Sequence, residues 1–113
     1  RLADDAAQEE FHVVSLNTKN QVLATHQVSL GLLDQTVVHP REVFRPAIKE
    51  AAKSIILVHN HPSGDPTPSE KDLSLTRRLD ESGSLLGIQV LDHIIVARNG
   101  AISIREYEAT GGC

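Results

Sequence analysis

Methionine and tryptophan are absent from this 113-residue chain, and its one cysteine is Cys113 at the end of a "TGGC" tail. A single thiol excludes an intrachain disulfide and a thiolate zinc cage, so any metal must fall to histidine and carboxylate ligands. Aromatic residues are scarce, limited to Phe11, Phe44 and Tyr107. Basic residues are outnumbered 11 to 15, for a net charge of -4, and form no stripe. Nucleic-acid binders combine a basic footprint with stacking platforms, so strong DNA binding is not expected of this segment alone. No apolar run approaches the ~18 residues of a spanning helix. The opening "RLADDAAQEE" also lacks the basic-then-apolar pattern of a signal peptide, and a soluble, cytoplasmic protein away from membranes is expected. A chain that begins at Arg1 and has no methionine reads as a domain of something longer.

What is present suffices for one compact domain, since 40% of the residues are hydrophobic. Residues 1–8 can form a short helix. "EEFHVVSLN" and "QVLATHQVSLG" read as two strands paired about the turn signal "TKN", and "TVVHP" as a further strand edge. In "REVFRPAIKEAAK" the residues Val43, Phe44, Ala47, Ile48 and Ala51 share a helical face, but Pro46 confines the expected helix to about Pro46 to Lys53. "SIILVHNH" is the continuous apolar run of a central strand buried on both faces. "SEKDLSLTRRLDES" follows as a helix stopped near Gly83. "IQVLDHIIVARNG" and "AISIREY" then read as strands joined at Asn99-Gly100. Together these predict a mixed α/β domain on a mostly antiparallel β-sheet flanked by helices.

One stretch carries chemistry: "HNHPSGDPTPSEKD", from His59 to Asp72. Residues i and i+2 of a strand face the same way, so His59 and His61 project together, with Ile55 and Leu57 behind them. A loop stiffened by Pro62, Pro66 and Pro68, with Gly64 free to take φ > 0, can return the next helix start over the strand end. That helix start supplies Ser69 and Asp72. Two imidazoles and one carboxylate make a three-ligand site, which for zinc leaves the fourth position open to water. Such a metal lowers the pKa of its water from 15.7 to roughly 7 and polarises a carbonyl.

The same residues also have a plain structural reading. Ser69-x-x-Asp72 resembles a capping box that merely starts a helix, and His59 and His61 can be hydrogen-bonded residues at a strand end. The combination at this spacing favours metal. Amide hydrolysis further needs a base, and Glu9, Glu10, Glu42 and Glu50 are available without the spacing selecting among them. Asp92 and His93 can form a supporting pair or a hydrogen-bonded structural one. His39 reads as a turn residue, His12 and His26 as strand surface.

The pattern His-x-His, seven residues, Ser, two residues, Asp resembles the JAMM motif. "HNHPSG", "VVHPREVFRPAI" and "VLDHIIV" narrow the resemblance to the RadC family, bacterial proteins known as DNA-repair homologues. It runs from about Glu10 to Tyr107, dividing the chain into a lead-in at 1–9, a RadC-like JAMM (MPN) domain at 10–107 and a tail at 108–113. The resemblance implies the cytidine deaminase-like JAB/MPN metalloprotease fold, with zinc held by His59, His61 and Asp72. It further implies that Ser69 assists the zinc-bound water or the oxyanion, and that Glu10 is the catalytic glutamate, with Glu9 next in line because a one-residue slip exchanges their faces.

Two functions from different classes follow. One is a zinc-dependent metallopeptidase or isopeptidase acting on a peptide or protein. The other is a non-catalytic zinc-containing interaction module of a DNA-repair-associated protein. The literal "HNH" does not make a nuclease, whose three residues lie far apart amid basic surroundings. A zinc nucleobase deaminase needs cysteines that the chain lacks.

Overall fold

The computed structural model describes residues 9–28 and 38–111. The helix expected over residues 1–8 and the beginning of "TVVHP" lie outside them. Five strands form one sheet: β1 (Phe11–Leu16), β2 (Val22–Val28), β3 (Ser54–Asn60), β4 (Gln89–Ala97) and β5 (Gly100–Ser103). Their order is β2-β1-β3-β4-β5, which puts β3 at the centre as its apolar sequence demands. Three of the four pairings are antiparallel. The exception, β3 with β4, is parallel because the connection between them is a helix rather than a turn.

That crossover is α2 (Glu70–Leu86), and with α1 (Pro40–Lys49) it covers one face of the sheet. Phe11 and Val13 of β1 and Ile55 and Leu57 of β3 point to this face, where they meet Val43, Phe44 and Ala47 of α1 and Leu79 of α2. On the alternate positions Val14, Ile56 and Val58 are only half-buried. The expectation that β3 is buried on both faces is therefore corrected: its period of two survives within an all-apolar run. No helix among the described residues is long and apolar enough to cross a membrane.

Three helix boundaries also differ from expectation. The first helix begins at Pro40, not Pro46, because proline suits the first helical position, where an N–H is unused anyway. Pro46 lies inside it, giving up one backbone bond without ending it. The second passes through Gly83 and stops at Gly87, which takes the left-handed conformation at φ 75°. Gly83 is needed for closeness instead: a Cβ there would lie 2.3 Å from the Ile88 carbonyl oxygen and 3.2 Å from the Phe44 ring. In "AISIREY" only the first residues are strand. Ser103 accepts a hydrogen bond from the Glu106 amide and starts a third helix, α3 (Ile104–Ala109).

Candidate metal centre

The site forms where the end of β3, the lead into β1 and the start of α2 converge. Phe11 of β1 pairs with His59 of β3, and the ladder continues one step further. Asn60, fully buried, donates its amide N–H to the Glu10 carbonyl at 3.3 Å and accepts the Glu10 N–H through its side-chain oxygen. These two bonds fix the backbone ahead of β1 beside the histidines. By the alternation of an extended chain, residue 9 then shares the face of Phe11 and Val13, the face on which His59 lies.

Glu9, rather than Glu10, is consequently the carboxylate at the site, and this corrects the choice of Glu10. Glu10 turns to the other face, where His12 Nε2 lies 3.1 Å from its Oε1. Glu9 Oε2 lies 3.1 Å from His59 Nε2. Glu10 shares the face of His12, as the alternation predicts, but the β1–β3 pairing sets the histidine site on the opposite face, that of Glu9.

His59 stands at the end of β3, and His61 immediately follows the strand, held by its own amide to the Val96 carbonyl at 2.9 Å. His61 Nδ1 donates to the Asp65 carbonyl at 2.9 Å, which leaves Nε2 facing Asp72. The proline loop makes this possible by a tight return: Gly64 takes φ 95°, and its carbonyl receives the Asn99 amide at 3.1 Å.

Ser69 and Asp72 satisfy both readings of their spacing at once. Ser69 is the N-cap of α2, its Oγ accepting the Asp72 amide at 3.1 Å, while Asp72 Oδ2 accepts the Ser69 amide at 2.8 Å. The capping box is real. The same carboxylate places Oδ1 3.3 Å from His59 Nε2 and Oδ2 3.1 Å from His61 Nε2. Ser69 lines a solvent-open cavity of about 340 Å³ together with Glu9, His61, Pro62, Ser63, Lys71 and Asp72.

Electrostatically the cluster is a set of donors competing for protons. Burial pulls the His59 imidazole down, but the attraction of the Asp72 and Glu9 carboxylates outweighs it and holds the ring above its ordinary range. The Asp72 contact similarly raises His61. Burial would push the Asp72 carboxyl up, yet His59, His61 and the Ser69 amide hold it far below the usual range.

One ligand atom from each of Glu9, His59, His61 and Asp72 lies within 4.8 Å of the others. A tetrahedral zinc with bonds near 2.0–2.1 Å requires donor atoms about 3.3 Å apart. Asp72 reaches both histidines at about that spacing, Oδ1 lying 3.3 Å from His59 Nε2 and Oδ2 3.1 Å from His61 Nε2, so a small closing of the cluster would seat the ion. Moreover His59 Nε2 is buried, and neither neighbouring oxygen meets it in hydrogen-bond geometry. A buried imidazole nitrogen ringed by carboxylate oxygens is what a divalent cation would satisfy.

Behind the cluster lie His93, for which the sequence offered a supporting part beside Asp92, and Thr76, which it did not single out. His93 Nε2 is 2.7 Å from His59 Nδ1, and His93 Nδ1 is 2.7 Å from Thr76 Oγ1. Burial, assisted by the charge of His59, pushes the His93 pKa down to about 3. Asp92 is no partner of this ring. It accepts bonds from Ser103 Oγ and the Arg105 amide and so braces β4 against the start of α3.

A mixed α/β sheet carrying two histidines and an aspartate at a strand-to-helix crossover defines the JAB class of domain. The family model of the RadC-like JAB domain matches residues 1–109, and the chain belongs to that family. It is 55% identical over 100 residues to a UPF0758 protein of Caldanaerobacter subterraneus, covering 88% of this chain and 43% of that protein. It is 56% identical over 101 residues to a UPF0758 protein of Desulforamulus reducens, covering 89% and 44%. A UPF0758 protein of Listeria monocytogenes is 54% identical over 99 residues, covering 88% and 44%. The chain thus spans less than half the length of the curated relatives it matches.

Proposed function

We propose that this domain is a zinc-dependent hydrolase of peptide or isopeptide bonds. The observation that carries the reading is the convergence of Glu9, His59, His61 and Asp72 within 4.8 Å beside an open cavity. His59, His61 and Asp72 would hold the metal, and Glu9 stands next to them as the one further carboxylate of the group. Zinc bound there supplies Lewis acidity and lowers the pKa of a water ligand toward 7.

The chain's own residues supply the rest. Glu9 accepts the proton of the attacking water and returns it to the leaving nitrogen, the two proton transfers that amide hydrolysis requires. Ser69 spends its oxygen lone pair on the Asp72 amide, and its O–H donates to the oxyanion that develops on the scissile carbonyl. Phe11, stacked on His59 with centroids 5.7 Å apart, keeps water from the rear of the site. The substrate occupies the open cavity that Pro62, Ser63 and Lys71 line with the proposed site residues.

The decisive experiment is an unbiased peptide-library cleavage screen of the zinc-loaded domain, with Glu9→Gln as control. Turnover by the parent, lost in a Glu9→Gln variant that still binds zinc, supports the hydrolase. Zinc binding with no cleavage of any peptide or isopeptide would instead favour a non-catalytic zinc-containing interaction module.

A further inference from the structure

Thr76, His93 and His59 form a buried chain of hydrogen bonds whose direction can be read from its far end. All three are almost wholly inaccessible, with exposures of 2%, 0% and 2%. The Asp72 backbone carbonyl can only accept, and Thr76 Oγ1 donates its proton there at 2.8 Å. The Thr76 oxygen then accepts from His93, which places the His93 proton on Nδ1. A neutral imidazole protonated at Nδ1 has a bare lone pair at Nε2. That lone pair, 2.7 Å from His59 Nδ1, requires a proton on His59 Nδ1.

We infer that His93 and Thr76 are positioning residues that hold His59 in the one tautomer able to bind a metal through Nε2. The assignment rests on the metal reading of the site. With His93 protonated at Nδ1, the opposite tautomer of His59 would set two lone pairs against each other at 2.7 Å in the interior. The direction set at Thr76 disfavours that arrangement. The relay is anchored at one end by the carbonyl of Asp72 and arrives at the other beside that residue's carboxylate, so one residue serves as both anchor and ligand. Phe11 packs on both rings, face to face with His59 and edge-on to His93, which fixes their planes as well as their protons.

A purely structural histidine would matter to stability and not to zinc. The test is competition for zinc against a chromophoric chelator, with folding checked by circular dichroism and tautomers read by 15N-histidine NMR of the zinc-loaded protein. His93→Leu removes the acceptor. His93→Gln keeps one, because its amide oxygen can take the His59 Nδ1–H while its NH2 donates to Thr76. The expected result is a roughly 10–100-fold weaker zinc affinity in His93→Leu, with most of it restored in His93→Gln. Thr76→Val, which releases the His93 tautomer without removing the ring, should also weaken zinc, and it serves if His93→Leu fails to fold. In the parent both His59 and His93 should carry their proton on Nδ1. Parent-like affinity in folded His93→Leu or Thr76→Val, or equal losses in the Leu and Gln variants, would overturn the assignment. A parent that binds no zinc would overturn the metal reading and this assignment with it, whereas a zinc-binding parent with indifferent variants would remove the assignment alone.

Discussion

Phe11 faces His59 across the β1–β3 pairing, their rings stacked at an interplanar angle of 17°. This pairing sets which of two neighbouring glutamates faces the histidines. Glu9 lies on the Phe11 face and reaches His59, while Glu10 lies opposite with His12. Glu9→Gln should therefore lower kcat by about 10²–10⁴ while leaving zinc content unchanged, the usual range for loss of a general base. Glu10→Gln should leave both near the parent values. Metal analysis and single-turnover kinetics on the two variants check the pair.

Zinc affinity should fall with acidity from a higher pH than ordinary histidines would allow. His59 and His61 both have raised pKa values in the metal-free protein, and each must be neutral to bind. Protons therefore begin to compete above pH 6.5, with apparent affinity dropping about tenfold per pH unit for each proton displaced. Asp72 contributes nothing in that range because its carboxyl is already ionised. A chelator-competition titration between about pH 5 and pH 9 measures the slope and its onset.

The double duty of the helix start can be separated by mutation. Ser69→Ala removes the cap acceptor and should cost about 1 kcal/mol of stability whether or not zinc is present. Asp72→Asn keeps an oxygen to accept the Ser69 amide but forfeits a charged ligand. It should melt below the parent even in chelator, because the charge paired with His59 and His61 is gone, and in addition lose most of the zinc-dependent rise in Tm. Thermal melts of both variants, with and without zinc, distinguish cap from ligand.

Gly83→Ala tests the packing of α2. Helix propensity alone favours the change by about 1 kcal/mol. The new Cβ, however, would meet the Ile88 carbonyl oxygen at 2.3 Å, and backbone on both sides leaves little room to shift. Net destabilisation of about 1–3 kcal/mol is expected, measured by urea denaturation in chelator.

Much of this was legible from residues alone because the relevant signals are short-range. His59 and His61 share a direction through strand geometry, and Ser69 and Asp72 through the first turn of a helix, so four positions could be placed without knowing the fold. The hairpin of β4 and β5 and the central position of β3 were readable for the same reason, although the turn itself falls at Arg98-Asn99 and Gly100 already pairs with Ala97. The choice between Glu9 and Glu10 was not, because it depends on how far the β1–β3 ladder extends, and that is decided by Asn60, a residue 50 positions away. Thr76, and with it the true partners of His93, were hidden by distance too. Thr76 falls one helical turn after Asp72, but only the parallel pairing of β3 with β4 brings His93 between it and His59. The short helix in "AISIREY" was missed because Ser103 acts as a cap within a sequence of strand-forming composition.

Ser69, Asp72 and Thr76 all belong to the start of α2, so a cap, the proposed metal ligand and the far anchor of the His59 relay ride on one rigid body. A small slide of that helix over the sheet would undo all three together. On the zinc reading, occupancy and helix docking would then be two readings of a single equilibrium: an ion at the strand end would report, and by mass action enforce, the seating of a helix 17 residues long.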